Sequence, residues 1–198
     1  MLVAAILAGG CSTLRVTDPP RTADEQFLQS LATSRAIEQL SFAPLRDKRV
    51  FVDVQYVYDS LFPTAEQIFL VGELRNRLLI EGAAVSEERE GAEVILEVRS
   101  GAIGINRDDF LLGFPGVAIP VGSVDAGTAE VPVIIPELSI VKRRTQRGYA
   151  SVSITAYFSD TGELVASSGP SVERTERVDY WFFGLGPRTT GDIPPAED

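Results

Sequence analysis

The sequence predicts an α/β fold: a single mixed β-sheet with helices packed on it. Three stretches carry that prediction. "RVFVDVQYVY", Arg49 to Tyr58, alternates Val50, Val52, Val54, Tyr56 and Tyr58 with Phe51, Asp53, Gln55 and Val57, the period of a strand. Thr64-x-x-Gln67 is a capping box. Ile68, Val71, Leu74 and Leu78 follow it at three- and four-residue steps, until Gly82 stops the helix. "YASVSITAYF" and "ELVASSG", joined by Ser159-Asp160-Thr161-Gly162, form a C-terminal hairpin.

The remaining elements fall between these. Thr22-x-x-Glu25 is an earlier capping box, and Phe27, Leu28, Leu31, Ala32, Ile37 and Leu40 mark the apolar stripe of a first helix that Pro44 closes. After helix 64–81 a short strand, 83–86, is expected to run parallel to strand 50–57, because a strand–helix–strand unit crosses over right-handedly. "EEREG" turns the chain into strand 92–99, with Val94, Leu96 and Val98 on one face. Gly101 to Pro136 then changes character: six glycines, four prolines and only five charged residues make it an insertion too broken for a helix. Basic "KRRTQR", Lys142 to Arg147, ends it and reads as a solvated turn, or else as a site for an anionic partner such as a phospholipid headgroup or an acidic protein face. Strands 149–158 and 163–168 complete the sheet. Residues 22–198 are thus expected to be one domain carrying the insertion 101–136.

The composition narrows the function. The 198 residues carry a net charge of -10, so the surface as a whole repels nucleic-acid phosphate and anionic lipid headgroups, and nucleic acid is not an expected partner. Histidine is absent, which removes the commonest general base and neutral metal ligand. The single cysteine can form neither an internal disulfide nor a thiolate zinc site. No cofactor is expected.

That cysteine follows an apolar run, Leu2 to Ala8, and two glycines, in the order Leu7-Ala8-Gly9-Gly10-Cys11. The stretch resembles the bacterial lipoprotein signal, with the leucine one place further out than usual and no Lys or Arg in Met1-Leu2-Val3. The resemblance implies that residues 1–10 are a signal peptide and that Cys11 takes a diacylglyceryl group and is then N-acylated, hence labelled by palmitate. Two or more acyl chains hold a protein firmly to a membrane, where one does not. Residues 11–21, "CSTLRVTDPPR", then read as the lipidated cysteine and a flexible tether. Ser12 rather than Asp after the cysteine implies, by the same resemblance, the outer membrane facing the periplasm.

Four pieces of the domain, "VFVDVQ" (50–55), "LRNRLLIEGAAV" (74–85), "GAEVILEVRSG" (91–101) and "DTGELVAS" (160–167), resemble the small α/β envelope domains of the CsgG, LpoB and TolB N-terminal type. As a whole the chain looks like an uncharacterised bacterial lipoprotein family, a domain of unknown function.

No set of residues reads as a catalytic centre. Gly101-Ala-Ile-Gly104 and Gly184-Leu-Gly186 lack the full phosphate-loop fingerprint and read as turns. Asp108 and Asp109 would point to opposite faces of an extended chain. Ser167 and Ser168 have no histidine to activate them. Asp53 reads as solvent-facing by default, with pairing to an arginine as the alternative. What remains is a surface. Phe110, Leu111, Leu112 and Phe114, the cations Lys142, Arg143, Arg144 and Arg147, and the aromatics Trp181, Phe182 and Phe183 with Leu185 are candidates for a partner surface. The tail aromatics are expected chiefly to pack beneath the sheet as core. The expected protein is a non-enzymatic, lipid-anchored envelope protein that binds an envelope protein or itself. The alternatives are an oligomeric secretion, transport or envelope-assembly component and, last, a carboxylate-dependent hydrolase.

Overall fold

A computed structural model of the protein describes residues 21–58, 63–120 and 132–193. The expected signal peptide, Cys11 and the tether up to residue 20 lie outside the described residues. The described elements run α1 (Ala23–Glu38), β1 (Arg49–Asp53), α2 (Ala65–Ile80), β2 (Ala84–Ser86), β3 (Val94–Phe114), β4 (Val117–Pro120), β5 (Pro132–Ile135), β6 (Leu138–Phe158), β7 (Leu164–Phe182) and β8 (Leu185–Gly191). One mixed sheet has the order β2-β1-β3-β6-β7-β8, and β4 pairs with β5 in a separate ribbon. β1 is parallel to both β2 and β3, and the pairs from β3 to β8 are antiparallel. The expected α/β sheet with its β-α-β unit and C-terminal hairpin is present.

Both capping boxes form. The Thr22 hydroxyl accepts from Glu25 N at 3.3 Å while the Glu25 carboxylate accepts from Thr22 N at 3.0 Å. Thr64 and Gln67 repeat the exchange at 3.4 and 2.9 Å. Gly82, at φ 94°, ends α2: its N–H bonds Leu79 O, and Ala83 N bonds Leu78 O, which satisfies two terminal carbonyls as the chain turns into β2.

Both helices cover one face of the sheet. Leu28, Ala32, Ala36 and Ile37 of α1 and Leu70, Leu74 and Leu78 of α2 are buried. With Val50, Val52, Val94, Leu96, Val98, Ala150, Val152, Ile154 and Ala156 most of these make one core. Two expected core positions move. Phe27 is 62% exposed and Ile68 56% exposed. In each helix the inward row steps by four residues, Leu28-Ala32-Ala36 and Leu70-Leu74-Leu78, so Phe27 and Ile68 fall to the outer side.

β3, β6 and β7 are far longer than the sequence predicts, whereas β1 is shorter than the expected strand 50–57: it ends at Asp53, and the chain turns back with Val57 N and Tyr58 N both bonding Val54 O. β3 continues through the supposed insertion to Phe114, in register with β6 as far as Leu138. Its glycines did not break it: Gly101 is the extra residue of one bulge, and Gly113 stands opposite a second, whose extra residue is Ile140 of β6. "KRRTQR" is the middle of β6, paired on both sides, and is no turn. Residues 121–131 of the insertion lie outside the described residues.

Candidate functional site

The long strands carry the sheet past its helices. The N-terminus of α1 ends over the row of Gln146 and Arg177: Gln146 Nε2 donates to Glu25 at 3.2 Å, and Arg177 pairs with Asp24 at 2.5 Å. Beyond that row no helix covers either face among the described residues. Arg107–Phe114, Leu138–Thr145, Val178–Phe182 and Leu185–Thr190 therefore form a bare four-stranded arm. The two-residue turn Phe183-Gly184, both at positive φ, closes β7 on β8 as a hairpin rather than a phosphate loop.

Partners across an antiparallel pair share a face, so the registers give the arm's rows. On the open face, from base to tip, the rows are Asp108–Thr145–Val178–Thr190, then Phe110–Arg143–Tyr180–Arg188, then Leu112–Val141–Phe182–Leu185. On the face continuous with the helices they are Asp109–Arg144–Asp179–Thr189, then Leu111–Lys142–Trp181. The arm is thus graded along its length.

Its base is ion-paired. Asp109 accepts from Arg107 at 2.7 Å and from Arg144 at 2.9 Å. Arg147 bridges Asp108 at 2.8 Å and Glu176 at 2.7 Å. Asp108 and Asp109 do face opposite ways, each held by its own arginines. Hydrogen bonding from Arg107, with Arg144 beside it, keeps the Asp109 carboxyl below the ordinary carboxylate range against the opposing effect of burial. No group of three or more metal-ligating acids occurs among the described residues.

Above the base lies a cationic and aromatic row. Arg143 stands 5.7 Å from the Phe110 ring centroid, and Lys142 and Arg144 each lie 5.9 Å from that of Trp181. Arg143 and Arg188 have no carboxylate partner among the described residues. The Tyr180 and Phe182 rings stack at 6.4 Å. The tip above this row is largely apolar and bare: Leu112, Phe114, Val117, Ile134, Ile135, Leu138, Ile140 and Phe182 are all exposed, Phe183 is 77% exposed and Leu185 78%, and its one described acid, Glu137, pairs with Lys142 at 2.9 Å.

The tail is therefore not core. Trp181 is half-buried and Phe182, Phe183 and Leu185 face solvent, because β7 and β8 run out past the helices that would have covered them. The sequence-derived surface residues do converge: Phe110 to Phe114, Lys142 to Arg144, and Trp181 to Phe183 share the arm, with Arg147 at its base. Tyr180, Arg188, Leu138 and Ile140 join them unforeseen. Their signal was the strand pairing of 138–143 with 110–114 and of 141–143 with 180–182, hidden by taking 101–136 as an insertion. Cys11 lies outside the described residues. Asp53 is not solvent-facing and takes the other expected course, pairing with an arginine. It is nearly buried, accepting from Gln55 N at 3.1 Å and pairing with Arg89 at 3.2 Å.

Fold and surface define an open α/β sheet, helix-covered on one side and extended into a bare arm. The chain belongs to a family of unknown function, DUF6655, whose model matches residues 5–196. No curated protein matches the chain at a significant level.

Proposed function

We propose that the protein is a non-enzymatic, lipid-anchored lipoprotein of the bacterial cell envelope that acts through its arm, by contact with another envelope protein or a second copy. The observation that supports contact over catalysis is the arm itself, a run of exposed large apolar side chains on a rigid sheet. The anchor reading rests on Leu7-Ala8-Gly9-Gly10-Cys11. If it is right, Cys11→Ala moves the protein from the membrane fraction to the soluble one and abolishes palmitate labelling. Unchanged labelling in the variant refutes it.

A second reading, an oligomeric secretion or assembly component, draws on a separate observation. β1 pairs with β3 only from Val94 to Glu97, so the outer edge of β3 from Ser100 to Phe114 has no partner strand among the described residues. An unpaired edge is a template for another chain. The mass of the detergent-extracted protein separates the two: a large ring supports assembly, a monomer or dimer the adaptor.

A further inference from the structure

We propose that the tip of the arm enters the surface layer of the lipid bilayer, seated by a belt of Lys142, Arg143, Tyr180, Trp181 and Arg188. The belt lies at one level across both faces, between an ion-paired base and an apolar tip. Arg and Lys side chains that lie along apolar surface while their heads stay wet, beside Tyr and Trp, are the chemistry of the headgroup level. Arg143 and Arg188, without carboxylate partners among the described residues, are free to meet phosphates. Beyond the belt the open face ends in an apolar row, Leu112–Val141–Phe182–Leu185, and the one described acid there, Glu137, is paired with Lys142 at 2.9 Å.

Placement agrees. Ten residues separate Cys11 from Arg21 at the start of α1, a span of at most ~35 Å. The start of α1 is held at the base of the arm by the Asp24–Arg177 pair. For where the arm is held, the inference rests on the proposed anchor. The depth is limited by the bare edge of β3: its N–H and C=O groups resist hydrocarbon, so Leu111–Phe114 stays where water still reaches.

The chain's single tryptophan, Trp181, sits in the belt and reports on the inference directly. The full-length lipidated protein is reconstituted into phosphatidylcholine–phosphatidylglycerol vesicles whose acyl chains are brominated at a shallow or a deep carbon. The expected result is Trp181 quenching by the shallow bromine more than the deep, and protection from iodide relative to the protein in detergent. Phe183→Asp, in the exposed turn, with Leu185→Asp, at the exposed start of β8, should remove that quenching while the protein stays vesicle-bound and its circular dichroism is unchanged. Bromolipid-silent Trp181 that iodide reaches equally in both settings overturns the inference. So does Trp181 shielded only as protein concentration rises, which would place a second copy on the tip. Failure of the anchor shows elsewhere, as palmitate labelling that survives Cys11→Ala, and leaves the quenching result standing.

Discussion

The carbonyl oxygen of Leu28 lies where a side chain on Gly148 would begin: a β-carbon built there would sit 2.6 Å from it. The same oxygen accepts a hydrogen bond from Thr175 Oγ1 at 2.7 Å. α1 is thus seated with its backbone directly on β6 and tied to β7. Ala32 and Ala36, both fully buried, continue the close approach along the helix.

Gly148→Ala should destabilise the protein by about 1–3 kcal/mol, since the added methyl must lift α1 from the sheet. Thr175→Val, of similar shape, should cost about 0.5–1.5 kcal/mol by removing the second hydrogen bond to a carbonyl that keeps its helical partner. Urea unfolding of the two variants checks this. A wild-type midpoint for Gly148→Ala would mean that α1 does not sit so close.

The two helix faces make a paired prediction. Leu74 is fully buried and Ile68 is 56% exposed on the same helix. Leu74→Ala should cost about 2–5 kcal/mol, and Ile68→Ala within ~0.5 kcal/mol of nothing. Equal losses in thermal melts would mean that α2 is turned differently on the sheet.

Much of this was legible in the sequence. Both capping boxes, the β1–α2–β2 unit and the turn at Gly162 stand where local chemistry put them, because caps and turns are decided by a few neighbouring residues. The arm was not legible. Along "GINRDDFLLGF" and "IVKRRTQR" neither face is buried by helices, so no polar–apolar alternation marks the strands. Gly101 and Gly113 read as breaks because a bulge and a loop look alike in one strand. The site followed the same division. Its residue types stood out, but their convergence depended on a register between segments some 70 residues apart, Phe110 against Arg143 against Tyr180.

Acid should loosen the arm's base and the end of β8. Asp109 is held below the ordinary carboxylate range by Arg107, then Arg144. Asp192 is held down by the Glu176 N–H at 2.7 Å and by Arg35 at 2.9 Å, with burial opposing. A carboxylate depressed in the fold lends stability above its unfolded value, near about pH 4, and loses it as pH falls through the folded value. Asp192→Asn should therefore flatten the fall in melting temperature between about pH 5 and pH 2 while lowering stability at neutral pH. An unchanged acid limb would show that the Arg35 and Glu176 contacts do not persist in solution.

Trp181 should behave as a surface aromatic. It is half-buried under Lys142 and Arg144 rather than packed in the core. Trp181→Ala should cost about 1 kcal/mol, the scale of lost cation–π and partial burial, well short of the ~3–5 kcal/mol of a core aromatic. A core-sized loss in chemical denaturation would place the residue under the helices instead.

The sharpest test concerns Arg177, where domain and arm meet. Its guanidinium, 11% exposed, pairs with Asp24 at the start of α1 and with Asp179 at 3.2 Å; Asp179 is itself nearly buried and also accepts from Thr189 at 2.6 Å. Arg177→Met keeps the length of the stem but leaves Asp179 with the Thr189 hydroxyl alone. An uncompensated buried charge of this kind costs about 3–5 kcal/mol. Adding Asp179→Leu should recover much of that, because two apolar groups of similar size replace a buried ion pair with little loss. The double-mutant cycle in urea reads the coupling. Additive losses would mean that Arg177 is held by Asp24 alone and that the arm is not braced against the helix through this pair.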